Sequence, residues 1–300
     1  MESTALPRVP TLTMRLQLGL IGLLLLAAAL AWALTDGRMQ GMDAGPGTDL
    51  GALGWFVGVW VVMMAAMMFP SIAPMVVMYA RVQRGKRERG DATPAGATGL
   101  FIAGYLVAWA LAGLLGYAIF DVGVSLDLGF LAWDMAGRYV AAGVILGAAV
   151  YQLTALKDVC LRKCRNPLMF LLHAWRPGRA GALRMGIEHG AWCVGCCWAL
   201  MAAVFALGVM SIGWMALIAA FIATEKLLPW KAVANRGIAV ALVVLAISVA
   251  AAPGDVPGLT LPDSPQAERA MEAMGMEGEA MEPSGTTSGG ESMGEMEDGP

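Results

Sequence analysis

The chain has 300 residues, of which 58% are hydrophobic and only 14% charged, with a mean hydropathy of +0.65. These values exclude an ordinary water-soluble globular domain. The net charge of −3 is spread over no basic patch with interleaved aromatics, which argues against nucleic acid as a partner.

Residues 16–34, LQLGLIGLLLLAAALAWAL, form an apolar run behind Arg8 and Arg15. Ala31–Trp32–Ala33 resembles a signal-cleavage site, but the run exceeds the 7–15 residues of a signal core. Its length suits a bilayer crossing, so we read an uncleaved first span. A Gly-rich loop leads to a second span near 52–79, containing MMAAMMFPSIAPMVVMY. Met64, Met68, Ser71, Met75 and Met78 repeat at four- and three-residue steps and form one stripe. Such a stripe reads as core packing, because Met fills irregular gaps. Its thioethers are also soft ligands for Cu(I), which makes Met64 and Met68 secondary candidates. Pro70 and Pro74 each remove a backbone donor and are expected to kink this helix.

The basic segment RVQRGKRERG precedes a third span near 98–120, and a short acidic loop follows. The fourth span, near 133–156, is expected to run on into LKDVCLRKCR, with Cys160 and Cys164 one turn apart on one face. Asn166–Pro167 breaks it, and LMFLLHAW (168–175) reads as a short amphipathic segment in the interface. His173 there reads as a surface residue.

The densest chemistry is HGAWCVGCC, residues 189–197. On a helix, His189, Cys193, Cys196 and Cys197 fall three and four residues apart and share a face. The sequence predicts that this stretch opens a fifth span, near 190–208. Gly208, Ser211 and Gly213 separate it from a sixth, near 212–228. Glu225 and Lys226 at the end of the sixth read as snorkelling charges. A seventh span covers 237–252. Residues 253–300 are rich in Pro, Gly, Ser, Glu and Met and are expected to be disordered. Met271, Met274 and Met276 within them are further thioether candidates, set against the simpler reading of a solubilising acidic tail.

All but three of the 20 Lys and Arg, the exceptions being Arg38, Arg138 and Arg269, fall in the N-terminus and in loops that seven crossings place on one side. The positive-inside rule makes that side the cytoplasm. The expectation is an all-α polytopic membrane protein of about seven transmembrane helices, N-terminus in and C-terminus out. A cytoplasmic segment (1–15), a membrane domain (16–252) and a tail (253–300) make up its organisation. A bacterial inner membrane suits it, and the five Cys then lie near the reducing face, where thiols persist.

At this point four stretches carry a resemblance: MMAAMMFPS (63–71), YQLTALKDVCLRKCR (151–165), HGAWCVGCCWALM (189–201) and EKLLPW (225–230). With their spacing, they resemble a family of metal-binding integral membrane proteins catalogued as a domain of unknown function. The resemblance implies metal binding, with copper the first choice. Lys163 stands where that family often has His, so one ligand of its pattern is missing here.

From the residues themselves, Cys160, Cys164, His189, Cys193, Cys196 and Cys197 form the candidate metal site. Thiolates with one imidazole suit Cu(I), zinc or an iron–sulfur cluster. The first reading is a soft-metal handling protein serving transport, delivery or maturation of a copper-dependent partner enzyme. Two others stay open: a membrane thiol oxidoreductase using the CxxC of Cys193 and Cys196, and a non-catalytic assembly subunit whose cysteines only pack. The chain has no nucleotide-binding loop, hydrolase triad or paired carboxylates within a span, so an enzyme is not the expectation.

Overall fold

The computed structural model describes residues 11–39, 43, 50–126, 133–209, 211–262 and 264–273. Among them are ten α-helices and no strand. The first three are α1 (Thr11–Met39), α2 (Leu53–Glu88) and α3 (Ala97–Ser125). A π-helical turn, Trp133–Gly137, leads into α4 (Arg138–Gln152), and α5 (Ala155–Arg165) and α6 (Pro167–Ala174) follow. Then come α7 (Gly178–Leu207), α8 (Ile212–Leu227) and α9 (Lys231–Ala251). After a 3₁₀ turn at Pro253–Asp255 comes α10 (Pro265–Ala273).

Five helices are long and apolar enough to cross a membrane: α1, α2, α3, α7 and α9. The bent pair α4–α5 makes a sixth if it is counted as one span. At 16 residues, α8 falls short of the ~20 that a bilayer crossing needs.

The element that organises the bundle is α7. It lies along α3 over most of its length and also packs on α4, α5 and α8. Small residues make the α3–α7 contact close. A Cβ on Gly186 would stand 2.0 Å from the carbonyl oxygen of Phe101, and one on Gly104 would stand 2.2 Å from that of Leu183. Gly190 meets Ala108 in the same way. Gly186 and Gly190 form a GxxxG pair and Gly104 and Ala108 its counterpart, the pattern that lets membrane helices touch backbone to backbone.

Three features of the fold differ from the sequence expectation. First, α7 begins at Gly178, not near 190, so the cysteines lie in mid-helix. Polar residues in 178–189 set an apparent limit to the span, but none of them breaks a helix, which starts directly after Pro177. Second, the fourth helix does not run straight into Cys160 and Cys164. It ends at Gln152, and α5 sets off at 66° to it. The break is local chemistry: the Thr154 hydroxyl accepts from the Lys157 amide and starts a new helix. Third, residues 253–262 and 264–273 are folded. Val256 and Leu259 are buried, Trp214 donates to the Gly258 carbonyl at 3.0 Å, and Ala267 and Ala270 of α10 are buried. Composition marked this region as disordered, but a few apolar side chains anchor it.

Other elements follow the reading more closely. α2 runs through both Pro70 and Pro74 as one helix. The break between α7 and α8 falls at Gly208, whose φ of 108° is open to glycine. α6 buries Phe170 and Leu171 and exposes Leu168, Met169 and Leu172, so it is short as expected but apolar on both faces and not amphipathic.

The close α3–α7 contact sets a direct test. Gly186→Ala should lower the melting temperature of the protein in detergent, by overpacking worth about 1–3 kcal/mol. Gly143→Ala in α4, where a Cβ meets nothing within 4 Å, should leave it unchanged or raise it. Equal effects from the two substitutions would remove α3–α7 packing as the organising contact.

Candidate metal centre

The thiols of Cys193, Cys196 and Cys197 all lie within 4.8 Å of one another, at 1%, 0% and 1% exposure. Cys193 Sγ and Cys196 Sγ each stand 3.9 Å from Cys197 Sγ. The spacing i, i+3, i+4 on α7 produces this triangle, as the sequence leads one to expect. α5 adds a fourth sulfur from a different direction, with Cys164 Sγ 3.8 Å from Cys196 Sγ. Cys160, one turn earlier, packs against the backbone of Gly195, and its Sγ would stand 3.0 Å from a Cβ there. All five cysteines are free thiols.

His189 lies one turn before Cys193 and is 3% exposed. Its ring packs among Phe101, Tyr105 and Phe170, and its Nδ1 has no hydrogen-bond partner. A buried, unpaired imidazole nitrogen beside a thiol group is the kind of exception that calls for a ligand. His189 does not belong to the set of ligand atoms within 4.8 Å of one another.

Sequence reasoning missed the charges around the sulfurs. Lys226 Nζ lies 2.9 Å from Cys193 Sγ and 3.5 Å from Ser71 Oγ. Tyr105 Oη lies 3.0 Å from the same sulfur. Cys196 and Cys197 instead donate their S–H groups to the Cys193 carbonyl, at 3.1 and 2.8 Å. Cys193 is therefore the sulfur on which the Lys226 ammonium and the Tyr105 hydroxyl converge, and the ammonium stabilises negative charge there. Behind it, Lys157 holds both oxygens of Glu225 at 2.8 Å, with each side chain 1% exposed. Glu225 and Lys226 thus do not snorkel. α8 is too short to carry its end clear of the bundle, and α5 and α7 bring partners to them. The only sequence sign was a pair of adjacent charges beside an apolar run.

The methionine stripe faces inward. Met64 and Met68 are fully buried, Met75 is 1% exposed, and Ser71 in their midst lies 3.5 Å from the lysine on Cys193. His173 is exposed and bonds locally to the Met169 carbonyl, as read. Met271 lies in α10, but its side chain, with Met274 and Met276, lies outside the described residues. An apolar cavity of about 680 Å³ lined by Trp60, Trp109, Trp198 and Phe205 opens on another stripe of α7, marked by Val194 and Met201. It is not the thiol site.

The donor set passes a simple geometric test. Sulfurs sharing one first-row ion at bonds of about 2.3 Å stand about 3.8–4.0 Å apart, and the observed contacts of 3.8–3.9 Å match. Thiols are soft donors, and a set dominated by them suits Cu(I), zinc or an iron–sulfur cluster ahead of harder ions.

A buried multi-thiol centre on an all-helical, membrane-compatible scaffold defines a protein of the soft-metal-handling class. Residues 57–249, well over half of the chain, match the family model described as PpoB2, copper chaperone, and the chain belongs to that family. No curated protein and no solved structure matches it.

The geometry orders the thiols by access. Cys164 is the least buried of the five, so a bulky maleimide on the folded protein should modify it first. Mass spectrometry of partially labelled protein reads this order, and Cys193 reacting first would mean that the α7 triangle opens to solvent.

Proposed function

We propose that the protein is an integral membrane copper chaperone that holds Cu(I) on the α7 thiols and passes it to a copper-dependent partner enzyme. The observation that carries this reading is the sulfur triangle of Cys193, Cys196 and Cys197, with Cys164 against it at 3.8 Å. Cys193 is the sulfur best prepared to bind the ion as a thiolate, because the Lys226 ammonium already supports negative charge there. His189 supplies a nitrogen donor, or orients the site, one turn away. Copper is the cargo, and the ligand set is sulfur so that the ion stays monovalent and exchangeable.

In this reading the chain crosses a bacterial inner membrane about seven times, with the bent α4–α5 pair and, despite its 16 residues, α8 completing the count, N-terminus in and C-terminus out. The Met64–Met68–Ser71–Met75 stripe offers transient thioether contacts beside the centre, and Met271, Met274 and Met276 offer an outer capture site. Cys160 belongs to the wall of the centre. Zinc and an iron–sulfur cluster are the competing cargoes or cofactors that metal analysis separates.

The convergence of two donors on Cys193 is also what a redox-active thiol requires, which keeps the oxidoreductase reading as the second. The two readings separate cleanly. Copper handling expects Cys193→Ser and Cys196→Ser to weaken Cu(I) binding about 100-fold or more and His189→Ala about tenfold, in line with the loss caused by removing groups around metals. Affinity should fall as pH drops, because protons compete for the thiolates. Competition against a Cu(I) chelator reads both effects. A reversible Cys193–Cys196 disulfide in protein from growing cells, with no copper bound after reconstitution in reductant, would favour the redox reading instead.

The topology has its own test. Reporter fusions after residue 90 and after residue 236 should report cytoplasm, and a fusion at the C-terminus should report the opposite side. A cytoplasmic C-terminus would contradict both the span count and the outer capture role of the tail.

A further inference from the structure

The geometry points to α5 as a hinged arm that brings Cys164 to the α7 thiols, with the buried Lys157–Glu225 pair as the latch that sets its position. This rests on the copper reading for its purpose, but not for its geometry.

The arm is bounded by a break at each end and packs along α7. α5 joins α4 through a 66° bend at Leu153–Thr154 and is followed by the Asn166–Pro167 break, so it is an 11-residue helix with a joint at each end. Cys164 stands on its last turn, 3.8 Å from Cys196. Three ties run from α5 to α8 and α9. Lys157 chelates Glu225, Arg165 donates to the carbonyls of Glu225 and Leu228, and Lys231 pairs with Asp158 at 3.0 Å. The last is half-exposed and weak; the first is fully buried and directional.

A buried ion pair is a poor way to add stability, since apolar residues of similar volume hold helices together as well or better. Fixing register is its best-attested use, because an arrangement that parts the two charges leaves each uncompensated in an apolar interior. Glu225 also neighbours Lys226, which touches Cys193, so one turn of α8 holds both the arm and the first sulfur. With the latch made, copper on the α7 triangle gains a fourth sulfur. With the latch open, the arm carries Cys164 away, the copper–Cys164 bond breaks, and the ion stays on three sulfurs with a coordination position free for the receiving partner's ligand. Lys157 and Glu225 are thus positioning residues for a metal-transfer step.

Cys164–Cys196 cross-linking tests this without copper. A full-length protein with Cys160, Cys193 and Cys197 replaced by Ser retains one pair, and diamide removes two hydrogens from it to give a disulfide and the hydrazine. Lys157→Met with Glu225→Leu removes the latch and leaves no buried charge behind. It should slow cross-linking about tenfold or more with the melting temperature held, because reaction between positioned groups falls steeply with misplacement. Arg165→Leu, on the solvent-facing side, should slow it less and decides the question if the double variant does not fold. An unchanged rate in the folded variants, or no cross-link in the parent, overturns the arm. If the rate falls and the latch variant with all cysteines restored binds no Cu(I), nor does the unsubstituted protein, the arm stands and the copper reading fails.

Discussion

The close contact of α3 with α7 is the constraint on which the centre depends. Two apolar helices gain little from hydrophobic burial wherever lipid surrounds them, and close packing is then what joins them. Gly104, Gly186 and Gly190 let the backbones touch where any side chain would collide with a carbonyl or a neighbouring Cβ. That approach puts Tyr105 on Cys193 and walls His189 with Phe101 and Tyr105. The ligands sit one turn further along the same helix as the glycines, so the residues that bring the helices together also position the chemistry.

The second constraint is charge in an apolar interior. Lys157 and Glu225 are almost fully buried, and losing one partner of such a pair costs about 3–5 kcal/mol because the other is left uncompensated. The protein places these charges within reach of one another on two short helices, α5 and α8, and the residue after Glu225, Lys226, reaches the thiol of Cys193. Short helices are suited to this. Their ends stay inside the bundle, where long spans would carry their charges to the headgroups. Cys193 is the beneficiary, with an ammonium and a phenol hydroxyl on one sulfur.

Much of the architecture was legible because it rests on local signals. Apolar runs marked α1, α2, α3 and α9, the Gly208–Gly213 interval marked the break before α8, and the i, i+3, i+4 spacing brought Cys193, Cys196 and Cys197 together. What escaped depends on tertiary contacts or on a single hydrogen bond. The Thr154 cap that splits α4 from α5 looked like an uninterrupted helix. The polar start of α7 looked like a loop because hydropathy measures burial in lipid and is silent on helicity. Glu225 and Lys226 looked like snorkelling charges, since their partners Lys157 and Cys193 are at least 33 residues away in the chain. The GxxxG pair in GIEHG was visible but was masked by the more conspicuous cysteines beside it. The fold of residues 253–262 rests on Val256, Leu259 and a bond from Trp214, too few features to outweigh a Pro- and Gly-rich composition.

The central claim is that sulfur from α7, joined by Cys164 of α5, holds copper. X-ray absorption on the full-length protein reconstituted with Cu(I) in reductant tests it most directly. The account expects a first shell dominated by three to four sulfurs at about 2.3 Å, losing one sulfur in Cys164→Ser. A shell of oxygen and nitrogen donors, or one unchanged when Cys193 and Cys196 are both replaced by serine, would contradict it.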